Sequence, residues 1–228
     1  LRHRQRALTP WDYEHLVLER FPQLYKAKCL RSSGDGSPPG SLQLVVVPSI
    51  VHRTPFDPFA PRCSADLLRD IQAFLADKTP AAARVRVTNA HFVSLKLRCG
   101  VRFMPGSDEG WCRARLNDEV NRFLSAWAFD DGADLVIGGS VYANSLIDFI
   151  ERRPYVDYIA GLRLFVGEGG RYALVPEAPG YHARAERPDA VLVAAPSHAF
   201  DVIAATDYRV QAFGGIGNMR IELDFTVG

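Results

Sequence analysis

Long hydrophobic runs are missing from this chain. The strongest apolar stretches, such as LVVV at 44–47, are far shorter than the roughly 18 residues that a membrane-spanning helix requires. Net charge is nearly missing too: 27 basic against 26 acidic residues leave +1, too little for a global field that would recruit nucleic acid or an anionic membrane. Cysteine is scarce. Cys29, Cys63, Cys99 and Cys112 form no C-x-x-C pair, and the closest two are 13 positions apart. That spacing excludes a zinc ribbon and a dense disulfide framework. Cys29 and Cys99 fall in strand patterns, as small core residues suited to folding in a reducing cytoplasm. No two of His3, His15, His52, His91, His182 and His198 lie three to five apart on a helix, so zinc or di-iron ligation has no local support. What remains is an ordinary soluble composition, 47% hydrophobic and 23% charged over 228 residues, enough for one large domain or two small ones. The chain begins LRHRQRALTP, without Met or an apolar signal segment, and ends IELDFTVG in a strand pattern. We expect the C-terminal part of a longer protein.

Helix starts are the clearest local signals. Thr9 before Pro10 reads as a cap, with Asp12 in the first turn where an acid suits the helix dipole. Tyr13, Leu16, Val17 and Phe21 recur at helical spacing until Pro22, and QLYKAKCLR follows as a strand with Tyr25, Ala27 and Cys29 on one face. SSGDGSPPGS is a loop by composition and returns into the buried-type strand LQLVVVP. The proline-rich IVHRTPFDPFAPRC is an irregular excursion, after which Ser64 caps a helix with the stripe Leu67, Leu68, Ile71, Phe74 and Leu75.

Arg84 to Thr88 reads as a short strand. From His91 to Met104 alternation is perfect: Val93, Leu95, Leu97, Cys99, Val101 and Phe103 face one way, Ser94, Lys96, Arg98, Gly100 and Arg102 the other. This predicts an antiparallel strand with one wet or partner-facing side. Ser107 or Asp108 caps the next helix, whose expected core stripe is Leu116, Val120, Phe123, Leu124 and Trp127. After FDDGADLVIGG, Ser140 is expected to cap a helix carrying Tyr142, Leu146, Phe149 and Ile150, stopped by Pro154. Val156 to Val166 alternates as a strand. Beyond Gly167 the texture becomes irregular and β-rich, with AVLVAAPS and the alternation Met219, Ile221, Leu223, Phe225, Val227 as strands. LERFPQLYKAK and IERRPYVDYIA share a helix, Glu-Arg-x-Pro, strand order, either as two related modules or as two similar joints. The predicted class is α+β: two small α/β modules, 1–81 and 82–166, with helices packed on antiparallel or mixed sheets, plus a β-rich C-terminal extension, 167–228.

No constellation builds an active site. Asp130, Asp131 and Asp134 share an acidic loop, but Gly132 stands where a calcium ligand is needed and no Glu follows within reach. The loop reads as a solvated turn or an acidic contact surface. Ser140 lacks the second glycine of a nucleophile elbow. Gly214, Gly215 and Gly217 precede a strand pattern rather than the helix of a phosphate loop. Lys96, Arg98 and Arg102 form a basic stripe, either a solvated face or a docking face for an acidic partner. Trp11, Trp111 and Trp127 sit at or near helix ends, where interface anchoring and core capping compete. Phe56 and Phe59, stiffened by Pro55, Pro58 and Pro61, either anchor an interface or fold back onto their own domain. Neither catalytic, cofactor-binding nor metal residues are expected.

Three segments together resemble a known family. The first is Thr9, Pro10, Asp12, Tyr13, Glu14, Leu16, Leu18 and Glu19 followed by Phe21-Pro22; the second is RFLSAWAF from Arg122 to Phe129; the third is GADLVIGGSVYANSLIDFIERRPYVDYI from Gly132 to Ile159. In order and spacing they resemble the baseplate J-like proteins of contractile phage tails, most closely the large components of extracellular contractile injection systems of the antifeeding prophage and Photorhabdus virulence cassette type. The resemblance spans about residues 5 to 166. One departure is Ala126, where the family pattern has Pro. The resemblance implies a structural wedge subunit with other wedge subunits, hub or spike and sheath proteins as partners. It also implies a multi-copy ring, no enzymatic activity, and synthesis in the bacterial cytoplasm before release in a tail-like particle. Candidate partner contacts are Phe56, Phe59, Lys96, Arg98, Arg102, Asp130, Asp131 and Asp134. Two rivals stand beside this reading: an adaptor that binds one partner by strand addition, and a hydrolase using Asp130, Asp131 or Asp134.

Overall fold

A computed structural model describes residues 6–31, 38, 40–50, 57–130 and 132–204. The fold is α+β, with two main sheets and four helices among the described residues. In the first unit, α1 (Pro10–Arg20) leads into β1 (Leu24–Arg31), which pairs antiparallel with β2 (Ser41–Pro48). A crossover through α2 (Ala65–Ala76) then lays β3 (Arg84–Asn89) parallel to β2. The helix starts form as the caps predict. Thr9 and Asp12 make a reciprocal capping box, and the Ser64 hydroxyl accepts the Leu67 N–H. Both helices bury their apolar stripes on one face of the sheet, where Tyr13, Val17, Leu44, Val46, Ile71 and Leu75 form a core.

The second sheet is built on β4 (His91–Phe103). One edge of β4 pairs antiparallel with β6 (Val156–Glu168), which turns at 169–170 into β7 (Arg171–Leu174). The other edge carries two strands in succession, both parallel to β4: β9 (Ala190–Ala194) beside His91–Leu95, and β10 (Ala199–Val202) beside Arg98–Val101. Helices α3 (Glu109–Leu124) and α4 (Ala143–Glu151) cover one face, over Leu95, Leu97, Cys99, Val101 and Phe103. A small ribbon of β5 (Ser140–Tyr142) and β8 (His182–Arg184) borders it.

The strand pairing departs from the sequence expectation in three ways. Arg84–Asn89 completes the first sheet, although it falls after the expected boundary at 81/82. The strands after 167 add to the second sheet, and β4 is in a mixed rather than wholly antiparallel setting. Alternation tells which face a residue occupies; it does not tell which strand lies beside it. Two side-chain expectations also fail. Phe123 is 39% exposed and stacks on Phe149, while Cys112, Leu116, Val120 and Asn121 hold the buried stripe of α3. Ser140 belongs to β5, and α4 starts after Tyr142 with no side-chain cap. The terminal alternation from Met219 to Val227 and the glycines Gly214, Gly215 and Gly217 lie outside the described residues.

Candidate interaction surfaces

The loop between α3 and β5 runs where the two sheets meet. Asp130 and Asp134 are exposed or nearly so, and Asp131 lies outside the described residues. Asp134 is bonded to Lys26 on β1 at 2.8 Å; this hydrogen bond and the ammonium charge hold its carboxyl below the usual range. Farther along, Leu135 and Ile137 are buried with Val45 and Val47 of the first sheet and Val191 and Val193 of the second. The backbone is held from both sides: the Tyr25 hydroxyl donates to the Ala133 carbonyl, and the Gly138 N–H donates to the Ala190 carbonyl at 2.7 Å. The loop is therefore neither a wholly solvated turn nor a free contact surface. Asp130 faces water, and the LVI segment clasps the two sheets together. Burial of two large aliphatic side chains contributes about 1.5–3 kcal/mol each.

The basic stripe of β4 is answered within the chain. Arg98 Nε lies 3.0 Å from Asp201 on β10, Arg102 Nε lies 3.3 Å from Asp157 on β6, and the Lys96 ammonium sits 5.5 Å from the Tyr172 ring on β7. These exposed or part-exposed pairs leave little unmatched charge on that face. Their partners lie up to 103 positions away in sequence, beyond the reach of any local pattern.

Of the proline-rich excursion, Phe56 lies outside the described residues. Phe59 is partly buried against the inter-sheet core, with its ring 6.1 Å from Phe129. Phe129, 45% exposed, in turn carries the Arg122 guanidinium at 5.2 Å. About three helical turns before Arg122 on α3, Trp111 is 55% exposed and carries Arg115 at 5.0 Å. Between them the outer face of α3 forms a cavity of about 620 Å³. Exposed Trp, Phe and Arg side chains around a concavity have the composition of an interface centre. Of the tryptophans, Trp127 caps the core and is buried, whereas Trp11 and Trp111 are open to solvent. In the sequence Trp111 was marked only by its place near a helix end, where interface anchoring and core capping competed. Arg122 and Phe129 were not legible as members of this face.

Burial pushes the Cys29 and Cys63 thiols up to about 11 and Cys99 up to about 12, so all three stay protonated. The carboxyls with displaced titration, Glu119, Asp134 and Asp189, are all held low. For Glu119 burial alone would raise it, but hydrogen bonds from Arg115 and Tyr155 outweigh that. For Asp189 the hydrogen bonds of Arg187 dominate. Among the described residues no group of three His, Cys, Asp or Glu side chains is placed to hold a metal ion, and no helix is long and apolar enough to cross a membrane.

A family model described as "Baseplate protein PVC11-like" matches residues 1–171. The chain belongs to the PVC11-like baseplate proteins. The PVC11-like match covers the two sheets' founding strands and all four helices, and stops at the start of β7. A solved chain from "Cryo-EM structure of the anti-feeding prophage (AFP) baseplate, 6-fold symmetrised" shares the fold, with a TM-score of 0.59 over 87% of this chain at 20% identity. This PVC11-like chain spans 38% of the length of that solved chain. Among curated proteins no match was found.

Proposed function

We propose that the chain is a wedge component of the baseplate of a contractile, phage tail-like injection particle, joining neighbouring wedges, the central hub and the sheath. The observation that carries this is the PVC11-like baseplate match over residues 1–171. The fold likeness to a chain of the anti-feeding prophage baseplate supports it, and the six-fold symmetry of that map suggests a ring of six copies here. The role is mechanical. Two sheets clasped by Leu135 and Ile137 can move as one body, and different docked neighbours then favour different ring states. Protein neighbours, not substrates or nucleic acid, are the partners in this reading. The chain is made in the cytoplasm and leaves it within the assembled particle.

The adaptor alternative needs an open strand edge; β3 is one of several outermost strands, beside β1 and β7, and its outer edge is occupied. The Gln72 side-chain amide bonds the Val85 carbonyl and accepts the Val87 N–H at 2.9 Å, as a neighbouring strand would. Deleting the gene in the producing bacterium and imaging the particles tests the proposal. Loss of baseplates, with sheath absent or unattached, is expected. Normal, contractile particles would refute it.

A further inference from the structure

The face of the first sheet opposite α1 and α2 is only partly covered by the second sheet. Val45 and Val47 of β2 lie inside the inter-sheet core. Ser41 and Gln43, the alternate residues nearer the start of β2, lie beyond it, with Arg84 and Arg86 of β3 paired beside them. These residues line a groove of about 560 Å³ that also takes in Arg62, Arg187 and Asp189.

The groove's charge is unbalanced. Asp189 is its one acidic lining residue, and it is buried and fully engaged. It accepts two hydrogen bonds from Arg187 at 2.9 and 2.8 Å and a third from Gln43 at 3.2 Å. His91 faces Glu168 outside the groove. Arg62, Arg84 and Arg86 make no ion pair with any described residue, so three guanidiniums border one concavity without a counter-charge. The contrast with β4 is direct, since Arg98 and Arg102 there are each matched by an acid.

The lining narrows the ligand. It includes no Phe, Tyr or Trp on which bases could stack, and no helix N-terminus that would favour phosphate. Guanidinium forks suit carboxylates, with two parallel hydrogen bonds each. Because Gln72 already occupies the adjacent edge of β3, recognition would run through side-chain carboxylates rather than through strand addition. We propose that this groove docks an acidic, extended segment, rich in Asp and Glu, of a neighbouring protein. Only the identity of that neighbour as a baseplate subunit rests on the function proposed above.

Fluorescence anisotropy of the purified chain with a labelled Asp/Glu octapeptide tests the groove, with an Asn/Gln octapeptide and a short single-stranded DNA as comparators. The acidic peptide should bind more tightly than both and weaken as salt rises. The double substitution Arg84→Gln, Arg86→Gln should lower its affinity by at least about tenfold, while Arg171→Gln, an exposed arginine on β7, should change it by less than about twofold. Binding no stronger than that of the uncharged peptide, equal or tighter binding of DNA, or an equal loss in Arg171→Gln would overturn the proposal. Melting curves of each variant identify any that has unfolded, and Arg62→Gln, also in the lining, then serves as the second variant. A chain that fails this assay but still occupies the baseplate in particle images would refute the groove alone and leave the wedge reading intact.

Discussion

Lowering the pH should unfold this chain partly through one histidine. β9 and β10 lie along the same edge of β4 but are interrupted at 195–198. At the gap the Leu97 N–H has no strand to donate to, and it donates to His198 Nδ1 at 3.2 Å. The His198 backbone N–H donates to Asn117 Oδ1 at 2.9 Å, fixing the ring above α3. A ring that accepts at Nδ1 is neutral, with its proton on Nε2, and protonation would turn the acceptor into a donor aimed at an N–H. Burial, and to a lesser degree the Lys96 ammonium, push its pKa down to about 4. Between that value and the unfolded 6.5, the unfolded chain binds the proton and the folded chain does not. Stability is thus fully present above pH 6.5 and falls as pH drops towards 4. At 1.36 kcal/mol per pH unit the loss reaches about 3 kcal/mol. Urea unfolding measured from pH 7 to pH 4 reads this directly. His198→Gln keeps an acceptor but cannot titrate, so wild type should lose about 3 kcal/mol more than the variant over that range. Parallel pH profiles, or an NMR titration placing the ring near 6.5, would refute the reasoning.

Three further outcomes follow from the packing. Leu116→Ala, in the fully buried stripe of α3, should cost about 2–5 kcal/mol in urea unfolding, whereas Phe123→Ala should cost well under the roughly 3–5 kcal/mol of a buried Phe, because its ring is 39% exposed. Ser125 is fully buried and its hydroxyl accepts the Ala194 N–H at 2.9 Å, so Ser125→Ala should cost about 1–3 kcal/mol and speed amide exchange at Ala194. The double substitution Trp111→Ala, Phe129→Ala should leave the melting temperature of the isolated chain within a few degrees while abolishing its incorporation into particles. A large drop in melting temperature would assign those rings to the fold instead.

The features legible in the sequence were those set by near neighbours. Thr9-Pro10-Asp12, Ser64 and Asp108 cap helices because a short polar side chain reaches an N–H only two or three residues on. The alternation of β4 marked its buried face because the pleat has a period of two. The readings that failed depended on distant partners. Phe123 carries the right period but sits at the border of the stripe, where Phe149 shields it only in part. LVI in the acidic loop looked like part of a solvated turn until Val45, Val47, Val191 and Val193 enclosed it. The same limit applied to surfaces. Lys96, Arg98 and Arg102 were visible as a stripe while their partners were not. Arg84 and Arg86 alternate on one strand, but Arg62, which joins them in the groove, lies in a separate segment, so the cluster was not visible.

Electron cryomicroscopy of particles whose copy of this chain carries a small fused tag at an exposed turn tests the central claim most directly. The account predicts tag density in a closed ring at the baseplate, around the hub and against the first sheath layer, and in no other part of the particle. Density elsewhere along the tail, or complete baseplates with no copy of the chain, would contradict it.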